Sequence, residues 1–412
     1  MRLCDSISAP KNVILWIIMK NDYFFKILRG ERLSEEEAKS RDWNSLFREA
    51  ARQSVLPLFF ESAKVYKPVI PAEIYAAWQD RNFALFAANI RVVGCQNALL
   101  AHLKAWNEPY CILKGLSSAR YWPKPELRPF GDCDFLVRRE HTEAIAARLL
   151  ENDYQKGSES GDHHICFRDS YGGHLEMHYR LNGIPEGKIG EIILDYLGDP
   201  LEGCESVKVS GANFRTPGPE IHAAVLILHM RRHLQNSGIG LRHLLDWGFF
   251  VTATQEADFW QASFLPFLKR VGLCRFARVV TKACALSCGT FCPAWAQEAE
   301  EELCLDLLED MMESGNFGRK NPAKARSTAM ISADGEHGKL YNLYRTLHSG
   351  TAARFPWVKK WKILYPLMDI YRVLHYLFLE LRGKKASVLS MVPYADERRA
   401  LYDRLRLFRP EK

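Results

Sequence analysis

Nowhere does the chain carry the unbroken run of about 20 apolar residues that a membrane span needs. The run near its start covers only residues 13–19 and no small-residue cleavage site follows it, which speaks against both a span and a signal peptide. Cysteines at framework spacing are also missing. The eleven that occur are odd in number and scattered from Cys4 to Cys304, a usage that fits a reducing cytoplasm. Cys284, Cys288 and Cys292 share one face of an ideal helix, but Gly289 and Pro293 interrupt it, so buried thiols are the expectation. There is no internal repeat, no low-complexity tract and no recognisable RNA-binding module, which removes solenoids and disordered scaffolds.

What is present is a globular composition: 47% hydrophobic, 25% charged and 12% aromatic over 412 residues, enough for two or three units. The net charge of +7 is uneven. Residues 339–412 hold 16 of the basic and 6 of the acidic side chains, so that tail carries +10 and the rest of the chain −3.

Residues 1–105 read as a helical region. Ser34 with Glu37 three positions on makes a reciprocal capping pattern, and Phe83, Phe86, Ile90, Val93, Leu99 and Leu103 recur at helical spacing. Residues 106–215 change character, with short β-like runs YCILKG, GDCDFLV, HHICFRD and HLEMHYRL around the helix RREHTEAIAARLLENDY. After Pro217-Gly218-Pro219 a helical domain is expected over 216–313, then a flexible linker or loop over 314–338, then a basic helical region over 339–412.

The chemistry concentrates in Gly131-Asp132-Cys133-Asp134-Phe135-Leu136-Val137. On a strand Asp132 and Asp134 take one face and Cys133, Phe135 and Val137 the other. Two carboxylates that close repel unless a cation neutralises them, which points to Mg²⁺, with Mn²⁺ as the alternative ion. Glu176, on a strand face shared with His174 and His178, supplies a third carboxylate, and three acids suffice for two hard cations. Upstream, Lys114-Gly115 ends a β-like run and Ser117 and Ser118 open a helix. The glycine allows close backbone approach to a phosphate, the serines add hydroxyls, and Lys114 and Arg128 add charge. His178 is placed to orient a nucleotide.

LKGLSSARYWP, RPFGDCDFLV, HLEMHYRL and GLRHLLDWGFF together resemble the polymerase-β-like nucleotidyltransferase superfamily, and within it a bacterial family of uncharacterised nucleotidyltransferases. The resemblance implies an α+β fold: a small mixed sheet with flanking helices, embraced by helical N- and C-terminal regions. It implies that Gly115 opens a phosphate-facing turn, that Asp132 and Asp134 bind metal, and that Glu176 is the third acid. The implied reaction moves a nucleoside monophosphate from an NTP, ATP included, to a hydroxyl acceptor with release of pyrophosphate. A small-molecule acceptor is favoured, with a protein side chain or an RNA end as alternatives. The rival reading is a non-catalytic nucleotide sensor or assembly protein on the same fold.

His229 and His233, four apart on a helix, look like a metal pair, and His243-x-x-Asp246 adds to the impression, but no third ligand at matching spacing is evident, so a structural or pocket-lining role is expected, with Arg242 and Asp246 lining the cleft. The segment FPWVKKWKILYPLMDIYRVLHYLFLELRGKK mixes aromatics with Lys and Arg. Docking on the catalytic domain is the favoured reading of it, with an anionic membrane surface or RNA as the other partners.

Overall fold

The computed structural model describes residues 22–157, 163–331, 338–382, 387–407 and 409. The apolar run at 13–19 lies outside them. A five-stranded mixed sheet is set among helices. Its strands are β1 (Tyr110–Ile112), β2 (Cys133–Val137), β3 (Gln155–Lys156), β4 (His164–Arg168) and β5 (His174–His178), in the order β1-β2-β5-β4-β3. β2 and β5 are parallel, and the other neighbouring pairs are antiparallel. A separate hairpin pairs β6 (Glu205–Val209) with β7 (Ala212–Thr216). Its two turn residues, Ser210 and Gly211, both have positive φ, 47° and 83°, as a tight turn matching the strand twist requires.

Side-chain alternation sorts β2 cleanly. Cys133, Phe135 and Val137 join Leu175 and Met177 of β5, Phe167 of β4 and Leu99 and Leu103 of the helix Ala72–Ala105 in one apolar core. Burying each large side chain there contributes roughly 2–3 kcal/mol. Asp134 and Glu176 therefore emerge on the opposite face. That side meets the larger helical core, to which Cys111, Leu113 and Leu136 contribute from the sheet side.

The Ser34 capping box forms as expected, with Glu37 N–H donating to Ser34 Oγ at 3.1 Å and Ser34 N–H donating to Glu37 Oε2 at 2.8 Å. The helix over Ala72–Ala105 departs from expectation in two ways. Phe83 and Ile90 of its apolar series face solvent, while Leu99 and Leu103 are buried. By length and composition it also passes for a membrane span, with a mean hydropathy of 1.3 in its most apolar window. A search for an unbroken apolar run misses it because Asn89, Arg91 and Gln96 interrupt the sequence. Asn89 ties it to the sheet domain, donating to Arg128 O at 2.9 Å and accepting from Phe130 N–H at 2.8 Å.

The expected linker at 314–338 is a second correction. Its described part contains the helix Pro322–Ser327, started by Asn321 accepting from Lys324 N–H, and Lys324, Ser327 and Met330 are buried. Lys324 Nζ reaches Asp310 at 3.2 Å and Glu313 at 2.7 Å, so a polar sequence without apolar period is held by ion pairs. Residues 332–337 lie outside the described chain.

Candidate active site

Parallel pairing of β2 with β5 sets Asp134 directly opposite Glu176. His178, two residues on and on the same face, closes the group: its Nε2 lies 2.9 Å from Asp134 Oδ1 and 3.3 Å from Glu176 Oε2. Asp134 and His178 are buried, and Glu176 is half-buried. Ligand atoms of these three lie within 4.8 Å of one another. Asp132 precedes the strand and sits at the exposed mouth, outside that tight trio.

Lys114 reaches the trio from β1. The ladder continues one residue past the strand, through Leu113 N–H to Asp134 O at 2.9 Å. That bond delivers Lys114 Nζ to 2.8 Å from Asp134 Oδ1. Gly115 then turns with φ +68° and ψ −114°, passing close to the backbone of Asp132. A non-glycine residue is strained there.

Three carboxyls share this site with Lys114 and His178. Burial would raise the Asp134 carboxyl, but the Lys114 ammonium and the His178 hydrogen bond outweigh it and hold the group below the ordinary carboxylate range. Burial likewise opposes the charge on His178, and its bonds to Asp134 and Glu176 more than offset that, raising the imidazole. Asp132 is left over. Repulsion from Asp134 pushes its carboxyl up to about 6. The negative charge that the chain does not balance thus gathers at the mouth, and oxygen donors carrying excess negative charge are what a hard divalent cation requires. The residues fit such an ion.

The remaining sequence candidates lie elsewhere than expected. Arg128 does not reach the carboxylates. It grips Asp246 through Nε at 2.7 Å and Nη2 at 2.8 Å, because the Pro-rich loop that carries it packs against the helix Leu241–Ala253. Ser117 and Ser118 are fully buried. The Ser117 hydroxyl is engaged by Thr216 and by His222 Nδ1, so the four-residue helix Leu116–Ala119 turns it toward the hairpin, and Ser118 Oγ has no hydrogen-bond partner among the described residues. The side chains of Arg128, Ser117 and Ser118 are thus directed away from the carboxylates.

Two features escaped the sequence reading. His164 faces the site from β4: it is paired opposite His178 in the sheet and shares ligand-atom proximity with His163 and His178, and with Cys166 and Glu176. The alternation within HHICFRD was the available signal. The other is the place of His243, already set beside His229 and His233 in the sequence but not recognised there as the third imidazole: it joins the pair, whose Nε2 atoms lie 2.8 Å apart. Three imidazoles suit a borderline cation, yet the surroundings oppose one. Burial holds all three well below the usual imidazole range, and the Lys114 and Arg242 cations lower them further. Gly240 N–H also points at His243 Nδ1 at 3.4 Å, where a metal-bound imidazole would present its own N–H. The cluster is a group of neutral imidazoles close to Lys114 and Arg242. A cavity of about 980 Å³ lies apart from this chemistry, lined by residues such as Gln235, Leu343, Tyr376 and Met391.

Adjacent carboxylates on parallel strands thus lie behind a glycine turn. The chain belongs to the family described as uncharacterised nucleotidyltransferase, whose model matches residues 39–289. A crystal structure of an antigenic nucleotidyltransferase-like protein from Paracoccidioides brasiliensis is similar over 51% of this chain and 97% of its own, at 16% identity and a TM-score of 0.32. No curated protein matches the chain.

Proposed function

We propose that the chain is a metal-dependent nucleotidyltransferase with a polymerase-β-like core, moving a nucleoside monophosphate from an NTP to a hydroxyl acceptor. The observation that carries this reading is the register of Asp134 against Glu176, with the under-neutralised Asp132 at the mouth. Asp132, Asp134 and Glu176 are the residues that would hold Mg²⁺ or Mn²⁺. When bound, the ions supply charge neutralisation of the triphosphate and activation of the acceptor hydroxyl.

The chain's own groups do the rest. Gly115 lets the turn approach the phosphates, and Lys114, paired with Asp134 at 2.8 Å, is the nearest cation to receive phosphate oxygens. Glu176 receives the proton of the acceptor hydroxyl as that oxygen bonds to the α-phosphorus, and the bond to the β-phosphate breaks to release pyrophosphate. His178 fixes the geometry of both carboxylates. A small hydroxylated acceptor is favoured over a protein side chain or an RNA end. The cytoplasm is the compartment we assign, in keeping with ten described cysteines that are all free thiols.

One observation favours the second reading, a non-catalytic nucleotide sensor: Asp134 is already compensated by Lys114 and His178. Incubating the protein with α-labelled NTPs and cell extract separates the two. Label transferred to an acceptor with release of pyrophosphate supports the enzyme. NTP binding without transfer in any extract supports the sensor.

A further inference from the structure

The helix Tyr365–Leu381 is amphipathic in the reverse of the usual sense. Its polar residues face the protein. Asp369 is buried and bonds His348 Nδ1 at 2.6 Å and Thr351 Oγ1 at 2.5 Å, and Arg372 Nη1 donates to Leu347 O at 2.5 Å. Tyr365 Oη adds a bond to His348 O at 3.1 Å. All four contacts dock the helix on its neighbour Lys339–Arg354.

Its apolar residues face outward. Leu367, Ile370, Leu374 and Phe378 recur at helical spacing and are each 47–61% exposed, and Leu381 is 88% exposed. The two short turns before the helix extend the surface, with Trp361 at 64% and Ile363 at 86%. The segment thus docks through Asp369 and Arg372 on the helix Lys339–Arg354, with its apolar side turned away. Leaving so much contiguous apolar surface in water is unfavourable at about 25 cal/mol per Å², and patches on this scale mark interaction sites.

The charges around the patch decide what covers it. Lys360 and Lys362 are exposed at its N-terminal end and Arg382 at its C-terminal end, with Lys384 and Lys385 next in sequence. The acidic side chains of the helix are withdrawn from the surface: Asp369 is buried and Glu380 half-buried. Exposed leucines and tryptophans between basic ends match a bilayer interface, where the apolar face enters the acyl boundary and the cations meet anionic headgroups. A base-stacking RNA surface needs aromatics in a basic groove, whereas here aliphatic residues dominate the face.

We infer that residues 357–382 form a docking face for anionic lipid bilayers, holding the transferase body at a membrane surface without crossing it. Val373 and Leu377 continue from this face into the cavity of about 980 Å³, so an apolar path leads from the docked surface into the protein.

Flotation of the full chain with vesicles tests this. Phosphatidylcholine vesicles containing phosphatidylglycerol should carry the protein up the gradient, and phosphatidylcholine alone should not. Lys360→Gln with Lys362→Gln should weaken binding on the order of 25-fold, and added salt should weaken it further. Leu367→Ser with Leu374→Ser should abolish it, and since both residues are exposed, circular dichroism and nucleotide binding should be unchanged. Failure to bind anionic vesicles overturns the inference, as does equal binding by the serine variant. A concentration-dependent dimer in sedimentation that the serine variant breaks, without vesicle binding, makes the face a self-interface and overturns it too. So does RNA binding that outlasts the loss of vesicle binding.

Discussion

Arg128 and Asp246 form a buried two-bonded ion pair, 2.7 and 2.8 Å long, that joins the loop before the Asp132–Asp134 segment to the helix Leu241–Ala253. Trp122 Nε1 donates to the same Asp246 oxygen at 2.8 Å. Removing one member strands the other charge in a buried site, which costs about 3–5 kcal/mol. Asp246→Ala should therefore lower Tm sharply in thermal unfolding. Arg128→Lys should recover only part of the loss, since an ammonium cannot reproduce the two parallel bonds.

Gly115 sits where only glycine is comfortable. Gly115→Ala meets no steric block, the nearest atom to its Cβ being Asp132 O at 3.7 Å, so the cost is backbone strain of about 1–3 kcal/mol. The strain should be relieved by re-aiming Lys114 and the turn. NTP affinity, measured by calorimetry, should fall while the circular dichroism spectrum is kept. Unchanged affinity would remove the turn from the binding site.

Arg398 docks the C-terminal helix Val388–Leu405. It is fully buried and bonds Asp310 at 3.0 and 3.1 Å and Ser314 Oγ at 2.7 Å. Arg398→Ala should leave Asp310 beside Lys324 alone and loosen this helix by about 3–5 kcal/mol. Limited proteolysis should then cut in the tail before the sheet domain. Protection equal to wild type would show that the helix is held mainly by its apolar contacts.

The buried imidazoles set an acid limit on stability. Burial, with nearby cations, holds His222, His229 and His243 well below the ordinary value of 6.5 and His233 at about 3. Below about pH 6.5 the unfolded chain takes up protons that the folded chain refuses, so this contribution is intact above that pH and is lost as pH falls. Each such histidine contributes a slope of up to about 1.4 kcal/mol per pH unit. Tm should fall steeply from pH 6.5 to 5, and His233→Gln should flatten the curve. A curve unaltered by that substitution would assign the acid limit to other groups.

Much of the site was legible because strand alternation is local. GDCDFLV and HLEMHYRL each announce which side chains share a face, and the structure needed only to pair them, Asp134 to Glu176. The commitment of Arg128 to Asp246 was not legible, since it spans 118 residues and depends on helix packing. The same holds for His243, whose approach to His229 and His233 is set by the turn between two helices. The hairpin at Ser210-Gly211 was readable from its turn residues and was overlooked. Pro322–Ser327 lacked any apolar period, because Lys324 anchors it by charge. The outward apolar face of Tyr365–Leu381 inverts the rule that periodicity points inward, so a pattern that correctly predicts a helix mispredicts its orientation.

The most direct test of the central claim is transfer of α-labelled phosphate from NTP in cell extract with Mg²⁺ or Mn²⁺, comparing wild type with Asp134→Asn and Glu176→Gln at equal folded protein. The account predicts labelled product and pyrophosphate with wild type, a loss on the order of a thousandfold in either variant, and retained NTP binding. Transfer that survives both substitutions would contradict it.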